Sequence, residues 1–224
     1  MEREPSAIPA GPRRPVPARE LRLSKMAARW LASCGVGANM ISVAGCVFAL
    51  SAGAIFVVMP SEPRAAAWLW LLAALLVQLR LLANMLDGMV AIEAQSVTKH
   101  GELYNELPDR LSDMAVLIGL GYAPGGDVLL GYAAALAAVL TAYVRAAGTA
   151  IGAPPVYCGP MAKPHRMHAV TFMAVLCAAV AFLGWNDEAV LGSLGIPALG
   201  LLIIALGAAL TCLRRVIRIA RVIG

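Results

Sequence analysis

Apolar residues in this chain are gathered into long blocks. Five runs, 38–59, 66–91, 128–150, 167–185 and 190–213, reach or approach the length a helix needs to cross a bilayer, roughly 20 residues at about 1.5 Å of rise each. A sixth segment, 103–123, has the length but carries several polar residues near its start. The pattern predicts an all-α integral membrane protein of six transmembrane helices. Ahead of them, Leu23, Met26, Ala27, Trp30 and Leu31 fall on one helical face and Arg22, Lys25 and Arg29 on the other. This is the pattern of an amphipathic interfacial helix lying on a membrane surface. Residues 2–19 are rich in Pro and Arg, lack the apolar core of a signal peptide and read as disordered. The expected organisation is a basic, Pro-rich N-terminus (1–19), one helical membrane domain (20–213) and a basic tail (214–224).

Composition agrees with the blocks. Of 224 residues, 60% are hydrophobic and 14% charged, with a mean hydropathy of +0.77, which leaves too little charge to coat a soluble domain. The basic residues are one-sided. Arg3, Arg13, Arg14, Arg19, Arg22, Lys25 and Arg29 precede the first span, and Lys99 lies between the second and third. Lys163 and Arg166 lie between the fourth and fifth, and Arg214, Arg215, Arg218 and Arg221 follow the last. Six alternating spans put all of these on one side, where only Arg64 opposes them. The positive-inside bias therefore predicts cytoplasmic termini and location in a membrane such as the bacterial inner membrane. The net charge of +5 reads as this sidedness and as affinity for anionic lipid headgroups, with no nucleic-acid partner expected. No pair among the five cysteines has metal-ligand spacing, so they read as small packing residues.

Ionisable groups inside spans are costly and point to function by default. Here they concentrate in the second and third spans: Arg80, Asp87, Glu102, Glu106, Asp109, Arg110 and Asp113, with Asn84 and Asn105 beside them. A short loop near 97–98 makes the two spans an antiparallel hairpin and sets Asp87 and Asp109 at similar depth. Arg80, Asn84, Asp87 and Ala91 share one helical face; Glu102, Asn105, Glu106, Asp109 and Asp113 share another. Carboxylates and carboxamides without Cys or His make a hard-cation site, suited to magnesium, manganese or calcium rather than zinc. The structural alternative is a polar interhelical network neutralised by Arg80 and Arg110.

At these residues the chain resembles the CDP-alcohol phosphatidyltransferase family, whose signature is D-x-x-D-G-x-x-A-R, eight residues, then G-x-x-x-D-x-x-x-D. Here the stretch reads NMLDGMVAI, EAQSVTKH, GELYNELPD, so that Asp87, Gly88, Ala91, Gly101 and Asp109 match with every spacing intact. The Ala-Asn-x-x-Ser opening of the first span, Ala38–Ser42, agrees as well. Three positions depart: Asn84 and Asn105 stand where the family has aspartates, and Ile92 where it has arginine. The resemblance implies transfer of a phosphatidyl group from a CDP-activated lipid to a small alcohol, with release of CMP. It also implies a Mg²⁺ or Mn²⁺ cofactor and a homodimer. Carried over residue by residue, it makes Asp87 a metal ligand and Asp109 the general base, with Asn84 and Asn105 as weaker oxygen ligands. Gly88, Ala91 and Gly101 would border the nucleotide. Glu106 and Asp113, on the same face as Asp109, are expected to restore the charge lost at the two asparagines. Arg145, Lys163 and Arg166 are candidates for binding an acceptor phosphate, such as that of glycerol 3-phosphate or an inositol phosphate. The rival readings are a non-catalytic protein that binds CDP-lipid or metal, and a small transporter using the same acidic cavity.

Overall fold

The computed structural model describes residues 21–60, 62–94, 99–184 and 194–223, with backbone alone for 99–105. Among these, seven helices account for the regular structure: α1 (Arg22–Ser33), α2 (Ala38–Val57), α3 (Pro63–Glu93), α4 (Lys99–Tyr122), α5 (Val128–Ala150), α6 (Lys163–Phe182) and α7 (Ile196–Ile223). The expected disordered N-terminus and the loop near 97–98 lie outside the described residues.

Five helices, α2, α3, α5, α6 and α7, are long and apolar enough to cross a membrane. Their outward faces carry large apolar side chains in the open, among them Val43, Val47 and Leu50 on α2, Leu129 and Leu136 on α5, Phe172 on α6, and Ile203 and Leu206 on α7. Water would penalise so continuous an apolar exterior, whereas lipid matches it. The chain is an integral membrane protein. The fourth helix has comparable length, 24 residues, and packs along α2 and α5. Its polar N-terminal half keeps it out of the apolar set, so composition alone gives five spans where six are expected.

Several boundaries differ from the hydropathy reading. The third helix runs for 31 residues from Pro63 to Glu93. Glu62 caps it, accepting from the Ala65 amide at 2.7 Å, and Pro63 occupies a first-turn position where a missing N–H costs nothing. The sixth helix starts at Lys163 with Pro164 in its first turn, so Lys163 and Arg166 are helical where a loop is expected. Charged residues end a hydropathy run without ending a helix. For the same reason α7 continues through Arg214, Arg215, Arg218 and Arg221 to Ile223, and the expected tail is the end of the last helix.

The core combines alanines with large aliphatic, methionine and aromatic side chains. Ala49, Ala52 and Phe56 of α2 meet Trp70, Ala73 and Val77 of α3 and Val116, Leu117 and Leu120 of α4; Met167, Val170 and Ala174 of α6 close against them. Contact between α2 and α4 is at backbone level. A Cβ on Gly53 would stand 2.4 Å from the Ala115 carbonyl oxygen, and one on Gly119 2.4 Å from that of Gly53. Small residues at such crossings let helices gain dispersion and carbonyl contacts that lipid would otherwise replace. At the other end of α3, Ala28 of α1 packs with Ile41, Ala83, Leu86 and Val90, and Arg29 pairs with Glu93 at 3.4 Å. Leu23, Met26 and Trp30 of α1 remain exposed.

Candidate active site between α2, α3, α4 and α6

Helical periodicity sets Arg80, Asn84 and Asp87 on one face of α3, at i, i+4 and i+7. That face meets the start of α2, the middle of α4 and the first turn of α6. A small cleft results, lined by Ser42, Gly45 and Cys46 of α2, Arg80, Asn84 and Asp87 of α3, and Asp109 and Ser112 of α4. The two carboxylates in it are held differently. Asp87 is buried and, among the described residues, accepts from neutral donors, the Ser42 hydroxyl at 2.7 Å and the Gly88 amide at 2.5 Å. Asp109 is gripped by charge: Arg80 Nη2 reaches its Oδ1 at 3.2 Å, and Lys163 forms an ion pair with its Oδ2. Asn84 Nδ2 adds bonds to both oxygens, at 3.0 and 3.2 Å.

The first turn of α6 adds a cation against two of the lining residues. Lys163 Nζ donates to Asn84 Oδ1 at 2.8 Å as well as pairing with Asp109. The ammonium thus bridges a carboxamide oxygen and a carboxylate oxygen on two different helices. One turn deeper, Asp113 is enclosed by two guanidinium groups, Arg80 Nη2 at 3.1 Å and Arg166 Nη2 at 2.8 Å, all three residues being 1% exposed. Arg166 Nη1 further donates to the Met161 carbonyl at 2.9 Å and to Thr141 Oγ1 at 3.3 Å. Arg80 Nε and Nη1 are buried without a hydrogen-bond partner among the described residues.

The expected site residues therefore divide. Asn84, Asp87 and Asp109 come together in the cleft. Glu106 does not join them: it is bound by Arg110 at 2.6 Å and Arg145 at 2.5 Å. Asp113 is occupied on both oxygens by Arg80 and Arg166. Neither acid offers spare charge to the cleft. Gly101 lies on the backbone of α4, and its surroundings, like the side chain of Asn105, fall outside the described residues. Gly88 and Ala91 follow Asp87 on α3. The three basic residues expected to meet an acceptor phosphate all have internal partners: Glu106 and the ring of Tyr157 for Arg145, Asn84 and Asp109 for Lys163, Asp113 for Arg166. Sequence reasoning gave no site role to Ser42, which its helical offset alone could not orient toward Asp87. It also took Arg215 only as a topology signal. Arg215 is buried and donates to the carbonyls of Thr141 at 2.5 Å and Cys158 at 3.1 Å, holding the 151–162 segment against α5.

Apart from the Cys46 thiol, the side-chain atoms of the cleft able to ligate a cation are carboxylate, carboxamide and hydroxyl oxygens, which suits a hard divalent cation. No three His, Cys, Asp or Glu side chains converge on a point among the described residues. What the cleft offers is Asp87, free of ion pairs among the described residues, beside the oxygens of Asn84 and Asp109. That set fits a cation anchored on Asp87 and falls short of a cage of carboxylates.

No protein-family model matches the chain. It is 28% identical to inner membrane protein YnbA of Escherichia coli (strain K12) over 137 residues, covering 61% of this chain and 66% of that protein, a little under two thirds of its length. The fold is similar to that of Mycobacterium tuberculosis phosphatidylinositol phosphate synthase. Against the structure with CDP-DAG bound, the TM-score is 0.65 at 20% identity over 89% of this chain and 94% of that one. Against the complex with manganese and citrate, it is 0.67 at 20% identity over 88% of each chain.

Proposed function

We propose that this protein is a CDP-alcohol phosphatidyltransferase of phospholipid synthesis, which moves the phosphatidyl or a similar phospho-lipid group of a CDP-activated lipid, such as CDP-diacylglycerol, onto a small alcohol. The reading rests on one observation above the others. Asp87 and Asp109, part of the five-residue spaced pattern with Gly88, Ala91 and Gly101, line the same cleft in a fold shared with a solved phosphatidylinositol phosphate synthase. In this reading α4 crosses the membrane as the sixth span, α1 lies at the surface, and both termini and the cleft face the cytoplasm.

The chain's own groups suggest how the reaction runs. The acceptor oxygen bonds to the lipid-side phosphorus, the bond to the bridging oxygen breaks, and CMP leaves with that electron pair. The acceptor's proton goes to Asp109, which acts as general base. Lys163 and Arg80 fix the orientation of that carboxylate, and the longer 3.2 Å contact from Asn84 Nδ2 to Oδ2 is the one an incoming hydroxyl displaces. Ser42 and the Gly88 amide orient Asp87 in the same way. Asp87, with Asn84 and Asp109 nearby, would hold a Mg²⁺ or Mn²⁺ ion, which would supply neutralisation of the diphosphate and of the leaving group. Gly88 leaves the backbone open to the nucleotide. A phosphorylated acceptor would have to draw Arg145 or Lys163 away from its carboxylate, so the identity of the alcohol turns on that competition.

The test is CMP release from CDP-diacylglycerol by the purified protein in lipid nanodiscs with Mn²⁺ or Mg²⁺, across glycerol 3-phosphate, inositol phosphate, serine and uncharged polyols. Metal-dependent CMP release with one of them is expected. A second reading, a non-catalytic CDP-lipid binder, draws on the four hydrogen-bond and ion-pair contacts that already occupy the Asp109 carboxylate. Saturable CDP-diacylglycerol binding with no CMP release from any acceptor would establish that reading instead.

A further inference from the structure

We infer that the Lys163 ammonium is a built-in cation of the cleft, standing where a second divalent ion would otherwise bind, and that the protein works with a single metal ion anchored on Asp87. The inference rests on the metal-dependent reading above and specifies its stoichiometry.

Position is the first ground. Lys163 Nζ sits on Asn84 Oδ1 at 2.8 Å and pairs with Asp109 Oδ2. These are two of the three residues whose oxygens make the cleft a hard-cation site, and a bridging contact to a carboxamide and a carboxylate is what a small cation makes there. Lys163 is drawn in by the fold, since α6 starts at this residue and its first turn faces α3 and α4. Its side chain is 16% exposed, and both its partners line the cleft, so the ammonium is held against that lining and is not a surface charge that swings past it.

Charge balance is the second ground. Among the described residues, the cleft and the ion-pair network on its wall hold three carboxylates, Asp87 of the lining and Asp109 and Asp113 of the network, and three cations, Arg80, Lys163 and Arg166. These six charges balance with no metal at all. One divalent ion brings an excess of two positive charges, which matches a diphosphate diester carrying two negative ones. A second would add two more within a bundle of apolar helices, where uncompensated charge is costly. Asn84 belongs to this logic: an aspartate there would attract a metal ion, whereas a carboxamide can accept from an ammonium through Oδ1 and donate to Asp109 through Nδ2 at once. Both bonds are made.

Mn²⁺ binding to the full-length protein in nanodiscs, measured by equilibrium dialysis and by electron paramagnetic resonance with and without CDP-diacylglycerol, tests this directly. One Mn²⁺ per chain is expected, lost in Asp87→Asn. The double variant Asn84→Asp with Lys163→Met removes the resident cation and restores a carboxylate, and it should bind two. Two Mn²⁺ in the wild-type protein overturn the inference while leaving the transferase reading intact. One in both wild type and double variant, with the variant's thermal unfolding midpoint unchanged, also overturns it, because Lys163 would not be what excludes the second ion. No Mn²⁺ in the wild type overturns it together with the metal reading, and CMP release then decides separately whether the protein is a transferase.

Discussion

At the scale of single residues, Asp87 and Asp109 share a cleft but not an electrostatic environment, and their substitutions should differ accordingly. Asp87 makes no ion pair among the described residues and accepts from the Ser42 hydroxyl and the Gly88 amide. Asp87→Ala should therefore abolish CMP release by removing the metal anchor while the protein still folds. Turnover near the wild-type rate would sink the assignment. Asp109→Asn keeps the size and one oxygen but cannot take up the acceptor's proton. CMP release should fall by roughly 10²–10⁴-fold, the usual cost of a lost general base, while Mn²⁺ binding persists; loss of Mn²⁺ binding would make Asp109 a metal ligand. Asp113 is a different case. Its carboxylate is the shared partner of Arg80 and Arg166 at full burial, so Asp113→Ala leaves two guanidinium groups facing each other. Destabilisation of about 3–5 kcal/mol is expected for breaking a buried pair, seen as a lower thermal unfolding midpoint in nanodiscs; a midpoint within a degree of wild type would show that water already shares those charges.

At the scale of helices, the site depends on how closely α2 approaches α4, because α2 carries Ser42 and α4 carries Asp109. That distance is set by Gly53 against Ala115 and Gly119, where backbone atoms meet with no room for a Cβ. Gly53→Val should push the helices apart, costing about 1–3 kcal/mol as overpacking usually does, and should lower Mn²⁺ affinity although it touches no proposed ligand. Val47→Ala, on the exposed outer face of the same helix, serves as the control, with a change within about 0.5 kcal/mol expected for a site away from such contacts. Equal effects from the two substitutions would mean that α2 does not set the cleft. The first turn of α6 matters similarly. Lys163 and Arg166 lie three residues apart on a helix that Pro164 helps to start, so one projects to Asp109 and the other to Asp113.

At the scale of the whole molecule, the proposed six-span topology requires the polar α4 to cross the membrane. Ala94→Cys and Pro124→Cys flank it, and in a cysteine-free background an impermeant maleimide should label them from opposite faces, Ala94 from the cytoplasmic one. Labelling from the same face would leave five spans and return the C-terminus to the other side. Sequence alone determined the helical membrane class, the length of α5 to the residue, the amphipathic character of α1 and the concentration of polar groups on α3 and α4, because bilayer thickness and helical period act on each segment independently of its neighbours. It also brought Asn84, Asp87 and Asp109 to one site, since two faces joined by a short connection have little choice of register. Partner choice lay beyond it. Glu106 and Asp113 share a helical face with Asp109, yet one is taken by Arg145 of α5 and the other by Arg166 of α6, helices whose arrival no local pattern announces. Lys163 reads as a loop charge in a sequence because charged residues end an apolar run. Only the packing of α6 against α3 and α4 makes it a cation inside the cleft, since which opposite charges meet is decided by distances between helices far apart in the chain.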